Sequence, residues 1–278
     1  MTIDSALRAG TKRLSPCSRS PRLDAEVLLA HVIGAGRASL LARFSEPLDD
    51  GALAAFSELV ERRGQGEPVA YLTGHKEFYG LDLLITRDVL VPRPETESAV
   101  DACLELLEGK PHGLLADIGT GSGAIMVAVA VRLPGVRVYG TEISPEALEV
   151  ARINCERHGL GDRAQLYPGN LLEPLPTRVD VIAANLPYVP PGEAEPEVAT
   201  WEPRVAVFGG DEDGTALIRQ FLAAAPDYVL PGGGVVMEVA HSQGPAVAAL
   251  AQGAFPGGSV EVRKDLAGYD RIVLVKTA

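Results

Sequence analysis

The sequence predicts an α/β fold: a mainly parallel, seven-stranded, doubly wound sheet with an antiparallel final hairpin, preceded by a small helical domain and a joining β-hairpin. Three observations predict it. Roughly the first 65 residues carry helical patterns and turns only. From Pro94 onward, helix and strand patterns alternate. The last two strand-like runs, near 259–264 and 270–276, are separated only by Asp-Leu-Ala-Gly-Tyr, too short for the crossover a parallel pair needs. The expected organisation is a helical domain over 1–72, a linking hairpin over 73–92 and a sheet domain over 93–278.

The elements follow in order. Ser20-Pro21 reads as a helix start, with the hydroxyl as cap and proline at the first helical position. Leu23, Val27, Leu28 and Val32 then mark one face. Asp50 is placed to cap the next long helix, striped by Leu53, Phe56, Leu59 and Val60 and ended by Gly64 and Gly66. Within 77–92, short β-prone runs broken by Gly80 and by Arg87-Asp88 suggest the hairpin. A helix is expected from Pro94 to about Leu107, a strand over 114–118, a helix over 124–132 and a strand over 136–141. Ser144-Pro145 opens a further helix that ends at Gly159. Strands over 164–167 and 179–184 precede a helix from Asp213 to about Leu230, a strand over 234–239 and a helix near 245–252. The Pro- and Glu-rich stretch 190–200 reads as exposed: a lid over a substrate, or a disordered segment.

Composition bounds the function. Hydrophobic residues make up 46% and charged residues 22%, the balance of a globular protein with a core rather than of a disordered chain. Three scattered cysteines form neither a disulfide framework nor a C-x-x-C metal pair, which points to a reducing, cytoplasmic setting. No apolar run has signal-peptide or membrane-spanning length. Net charge is −12 and lies wholly beyond residue 63, the first 63 residues being near neutral, which disfavours tight non-specific binding to nucleic acid. The five histidines share no metal-ligand spacing, and no G-x-S-x-G elbow is present.

Two local constellations carry chemistry. Asp117-Ile-Gly-Thr-Gly-Ser-Gly123 follows a strand and opens a helix, and its glycines let the backbone turn tightly against a ligand. Glu142 ends the second strand, where a carboxylate can accept hydrogen bonds from ribose hydroxyls. The spacing is G-x-G-x-G rather than the G-x-G-x-x-G that seats a pyrophosphate, and Asp117 would repel one. Both features favour S-adenosylmethionine over a dinucleotide. The strand over 179–184 ends in Asn185-Leu186-Pro187-Tyr188, at the carboxyl edge where open α/β sheets bind ligands. There the Asn185 side-chain oxygen and the Leu186 carbonyl can grip the two hydrogens of a planar NH2 group. Pro187 stiffens the turn and Tyr188 can stack on the planar group.

These residues resemble an S-adenosylmethionine-dependent amino-group methyltransferase, and more specifically the HemK family, the release-factor glutamine methyltransferases. Glu67–Gly74, Glu77–Gly80, Val91–Glu97 and Glu202–Gly210 are similar to segments peculiar to that family, so the resemblance covers nearly the whole chain. It implies a seven-stranded methyltransferase sheet and methyl transfer to the side-chain nitrogen (N5) of the glutamine in the Gly-Gly-Gln motif of peptide chain release factors. It implies Gly119, Thr120, Gly121, Ser122, Gly123, Glu142, Asn170 and Asn185 as cofactor contacts. Asn185, Leu186, Pro187 and Tyr188 would hold the substrate glutamine and form the catalytic set. The helical domain would recognise the release factor. The family pattern is Asn-Pro-Pro-Tyr, and this chain has Leu186 at the second place, which keeps the backbone carbonyl. Asn-Leu-Pro-Tyr is also similar to the motif of ribosomal RNA adenine dimethylases. The alternative is therefore an adenine or cytosine amino-methyltransferase acting on nucleic acid.

Overall fold

Helix α1 (Ile3–Leu14) begins at a reciprocal cap in which Ser5 N donates to Thr2 Oγ1 and Thr2 N donates to Ser5 Oγ. Helix α2 (Pro21–Val32) has the expected proline at its start, but Ser20 makes no cap bond. Its hydroxyl donates instead to Asp24, which also receives Ser18 Oγ and pairs with Arg63 Nε at 2.8 Å. Asp24 and Glu26 are buried, Glu26 bonded by Arg22 and Arg37, so the inward face is Ala25, Leu28 and Leu29. Leu23, expected inside, is 42% exposed. After α3 (Arg37–Ala42), helix α4 (Asp50–Gly64) is capped by Asp49, which accepts from Ala52 N at 2.9 Å. Asp50, the expected cap, is the first helical residue. Helix α5 (Val69–Thr73) closes this unit at left-handed Gly74. Its core gathers Ile3, Leu7, Leu28, Leu29, Leu40, Phe56 and Val60, at about 1.5–3 kcal/mol for each large side chain buried.

The structure, a computed structural model, describes residues 1–265 and 267–278; Leu266, in the final connection, lies outside them. The chain divides between His75 and Lys76. Hairpin strands β1 (His75–Phe78) and β2 (Leu81–Leu84) are shorter than the expected 73–92 bridge and, apart from His75, go with the second unit. The reason lies in side chains that no local pattern reports. Leu84 N donates to Asn154 Oδ1 and Asn154 Nδ2 donates to Leu84 O. At the hairpin turn, Tyr79 adopts a positive φ of 53° and its hydroxyl donates to Asp101.

The second unit continues with α6 (Glu97–Leu106), β3 (Leu114–Ile118), α7 (Ala124–Arg132), β4 (Arg137–Glu142), α8 (Pro145–Arg157), β5 (Ala164–Pro168) and β6 (Val179–Ala184). Then come α9 (Pro196–Trp201), α10 (Arg204–Val207), α11 (Ala216–Ala224), β7 (Val229–Glu238), α12 (Gly244–Ala254), β8 (Ser259–Lys264) and β9 (Asp270–Lys276). The seven strands run in the order β5-β4-β3-β6-β7-β9-β8. The first five are parallel, and β9 is antiparallel to both β7 and β8, as expected. Strand β3 is buried along its whole length, as is α7 from Ala124 to Ala130, so the central layer is apolar on both faces. Two expectations change. The helix expected to reach Leu230 ends at Ala224 in a short 3-10 turn, and β7 begins at Val229, because Val179 pairs with Val229 ahead of a register shift. Residues 190–200 contain part of a helix, α9, rather than being disordered throughout.

Register decides what meets at the sheet's carboxyl edge. Ile118 lies opposite Thr141 and Ala184, and Ala184 lies opposite Met237. The next residue on each strand therefore falls in one row: Gly119, Glu142, Asn185 and Glu238.

Candidate active site

Three of the row open onto a cavity of about 170 Å³ lined by Gly119, Thr120, Gly121, Ser122, Glu142, Asn170, Asn185, Leu186 and Pro187, among others, while Glu238 lines an adjoining one. Nine of the expected site residues are thus brought together, and two stand apart. Gly123 begins α7 at φ 80°, and a Cβ there would lie 3.4 Å from that of Ala151, so it packs against α8 rather than facing the cavity. Tyr188 lines the adjoining cavity of about 210 Å³, which shares Asn185, Leu186 and Pro187. Its hydroxyl donates to Glu238 Oε1 at 3.2 Å.

The loop is shaped from below. Gly119 and Gly121 both have positive φ, 67° and 55°, which residues with a Cβ rarely adopt. Asp117, 1% exposed, receives Thr120 Oγ1 at 2.7 Å and Met126 N at 3.2 Å on one oxygen, Oδ2. It therefore ties the loop to the start of α7 as well as lining the cavity. Burial pushes its carboxyl up to about 6, with the two hydrogen bonds opposing and Glu142 adding repulsion. Glu142 accepts three backbone N–H groups, from Gly121, Ile143 and Ser144. A carboxylate has about four lone-pair sites, so room remains for a ligand hydroxyl. Asn170 follows β5 and donates to Glu173, beside Leu171, which adopts a positive φ of 48°.

The Asn185 amide is fixed in a stated sense. Its Nδ2 donates to Glu238 Oε2 at 3.0 Å and to Thr96 Oγ1 at 3.3 Å. Among the described residues, neither its Oδ1 nor the Leu186 carbonyl accepts a hydrogen bond, and both residues line the cavity. Glu238 is 2% exposed, and burial raises its pKa against the opposing bond from Thr96 and the charge of Arg271. Burial and the neighbouring Glu238 push the Tyr188 phenol up as well.

A clamp ties the cavity's other walls. Glu202 accepts from Val91 N and pairs with Arg93, joining the approach to α10 with the 88–93 segment. Trp201 lies under Arg87, whose guanidinium carbon is 5.2 Å from the ring centroid, so it anchors α9 rather than lining the cavity. Among the described residues no cluster of His, Cys, Asp and Glu could hold a metal. Thr96 lies in the 92–97 segment that the family resemblance implies as a wall of the methionine end of the cleft, whereas Glu238 and Glu202 were not foreseen as site residues. Only Glu238 left a signal, an acidic residue ending an apolar strand at the edge that carries Asn185.

Comparisons with known proteins bear on the whole chain. Residues 5–74 match the PrmC N-terminal domain family, and residues 93–201 match the methyltransferase small domain family. A release factor glutamine methyltransferase of Moorella thermoacetica is 41% identical over 99% of this chain and 98% of its own length. One of Coxiella burnetii is 36% identical over 99% of each. Among solved structures, a methyltransferase from Pyrococcus furiosus superposes with a TM-score of 0.53 at 23% identity, over 79% of this chain and 98% of its own. A 16S rRNA N2 G1207 methyltransferase from Thermus thermophilus, solved with AdoMet and guanosine, has a TM-score of 0.51 at 20% identity, over 73% and 50%. At those identities the two structures speak to the fold alone.

Proposed function

We infer the function from one premise: this chain belongs to the family of release factor glutamine methyltransferases. It is a methyltransferase, with S-adenosyl-L-methionine as the methyl donor and the N5 side-chain nitrogen of the glutamine in a release factor's Gly-Gly-Gln motif as the acceptor. The single observation that carries the reading is Asn185. Its amide NH2 is committed to Glu238 and Thr96, its oxygen accepts no hydrogen bond among the described residues, and it lines the cavity beside the glycine loop.

The residues fit the donor. Positive-φ glycines give a wall without side chains, and Glu142 keeps acceptor capacity for ribose hydroxyls. Gly119, Thr120, Gly121, Ser122, Glu142 and Asn170 would hold it, with Asn185 at the reacting end. Gly123 would contribute by starting α7. When bound, S-adenosylmethionine supplies an electrophilic methyl carbon on a sulfonium.

The chain's own residues then solve a problem of nucleophilicity. A carboxamide nitrogen is weak because its lone pair is delocalised into the carbonyl. Asn185 Oδ1 and the Leu186 carbonyl accept its two N–H bonds, which fixes the plane of the amide and the direction of the lone pair. The same acceptors stabilise the charge that develops on nitrogen as the bond forms. Pro187 holds φ and stiffens the peptide that carries both. Tyr188, in the neighbouring cavity, would flank the entering glutamine. With the methyl on nitrogen and the C–S electron pair left on sulfur, one of the amide's own two N–H protons is acidic and passes to solvent, so no strong base is required.

The N-terminal helical unit is proposed to recognise the release factor. A cytoplasmic location belongs to the same proposal; among the described residues no helix is long and apolar enough to cross a membrane. To test the reading, the full chain is incubated with methyl-labelled S-adenosylmethionine and a release factor, and the peptide spanning Gly-Gly-Gln is analysed by mass spectrometry. One methyl on that glutamine is expected. Donor binding without label there, or label on nucleic acid instead, would remove the assignment.

A further inference from the structure

We propose that Glu238 is a positioning residue for the transfer, its carboxylate fixing which way round the Asn185 amide sits. The proposal rests on the reading above that Asn185 grips the substrate amide. An asparagine amide presents an acceptor on one side and a donor on the other, and the two orientations are nearly the same shape. A grip on an NH2 group works only if the oxygen faces the cleft. Nothing in Asn185 itself selects that orientation.

Glu238 selects it. A carboxylate only accepts, so the group 3.0 Å from its Oε2 must be the Asn185 NH2. Its other oxygen is occupied by the Tyr188 hydroxyl at 3.2 Å, so the carboxylate cannot swing to a second position. Thr96 backs both groups: it takes the other Asn185 N–H and bonds the carboxylate. The site is dry, with Glu238 2% and Thr96 4% exposed, which makes a mismatched donor or acceptor costly. Other charges in reach are Arg271 on β9, itself paired with Asp265, and Glu95 beside Thr96; Arg93 faces Tyr188. The placement follows from register, since Glu238 is the residue beside Asn185 at the sheet edge.

The arrangement works while the carboxylate is charged. A protonated Glu238 offers an O–H that can donate to Asn185 Oδ1, turning the amide and pointing its NH2 at the substrate's NH2. Activity is therefore lost as pH falls through the raised pKa of Glu238.

Glu238→Gln tests this. The replacement keeps the size but brings an NH2 that can take the Asn185 oxygen. With S-adenosylmethionine and a release factor, kcat is expected to fall about tenfold or more, while donor affinity by calorimetry and the melting temperature stay as in the parent. The acid limb of the parent's kcat profile that reports Glu238 should be missing from the variant. A kcat equal to the parent's overturns the proposal. So does a loss that tracks lost donor affinity or lost stability. Should the variant fail to fold, NMR of the parent decides. The Asn185 side-chain amide protons, identified by their absence in Asn185→Ala, should be protected from solvent exchange, and exchange as fast as in a free asparagine overturns the proposal. Failure of the functional reading looks different. The parent would then leave the Gly-Gly-Gln glutamine unmethylated, while those amide protons would still report the contact.

Discussion

Asn185 ends a strand whose preceding residues, Val181 to Ala184, are all buried, so its polar head is the first group on β6 able to reach a ligand. Removing that head should cost catalysis and little else. Asn185→Ala is expected to lower kcat by about a hundredfold or more with S-adenosylmethionine affinity nearly kept, read by steady-state kinetics beside calorimetry. A variant that turns over normally would end the amide-grip mechanism. Asp117 carries a different prediction. Its pKa rises on folding from 3.8 to about 6, so ionising it costs the folded state. That cost is absent below the unfolded value and complete above about 6, so the parent loses stability as pH rises between them. Asp117→Asn removes the cost and can keep both loop bonds, since they end on one oxygen. The variant should gain on the parent by on the order of 3 kcal/mol between about pH 4 and pH 7. Urea unfolding at the two pH values measures it, and a stability difference that does not change with pH would count against the assignment.

At the scale of elements, the strand-to-loop turn bearing Asn185 is held from outside by another segment. Gly214 has a φ of 72°, and a Cβ there would stand 2.1 Å from the Tyr188 carbonyl oxygen. Gly214→Ala is expected to destabilise the protein by about 2 kcal/mol or more and to reduce kcat more than donor affinity. Denaturation midpoints and kinetics check both; an unaltered kcat would mean that the loop tolerates the shift. Elements with strong local signals were legible. The alternation after Pro94, the capped α8 and the short final connection led directly to the sheet and its antiparallel edge. Helices α9 and α10, of six and four residues, were not legible. Helices that short do not hold by propensity and owe their form to contacts such as Glu202 with Val91 and Arg93. Site residues divide in the same way. The glycine loop and Asn185–Tyr188 are contiguous and announce themselves by spacing. Glu238 and Thr96 reach Asn185 across 53 and 89 residues; strand register brings the first there, and the short 3-10 turn Pro94–Thr96 carries the second.

For the whole molecule, two units with separate cores imply separate responses to ligand. S-adenosylmethionine at a hundred times its dissociation constant should stabilise the unit it binds by about 2.7 kcal/mol. Native-state hydrogen exchange is expected to show that gain within 76–278, with the protected amides of 1–75 exchanging as before. Equal gains in both would mean that the units open together. The strand order has a further consequence, for synthesis. Strand β9 lies between β7 and β8 but is made after both. Until it arrives, the nascent chain presents the apolar run Val235–Met237 along an unsatisfied edge, and β8 has nothing to pair with. The sheet cannot grow in the order of translation. The position next to its β8 edge is closed last, and during that interval the exposed edge of β7 is open to aggregation.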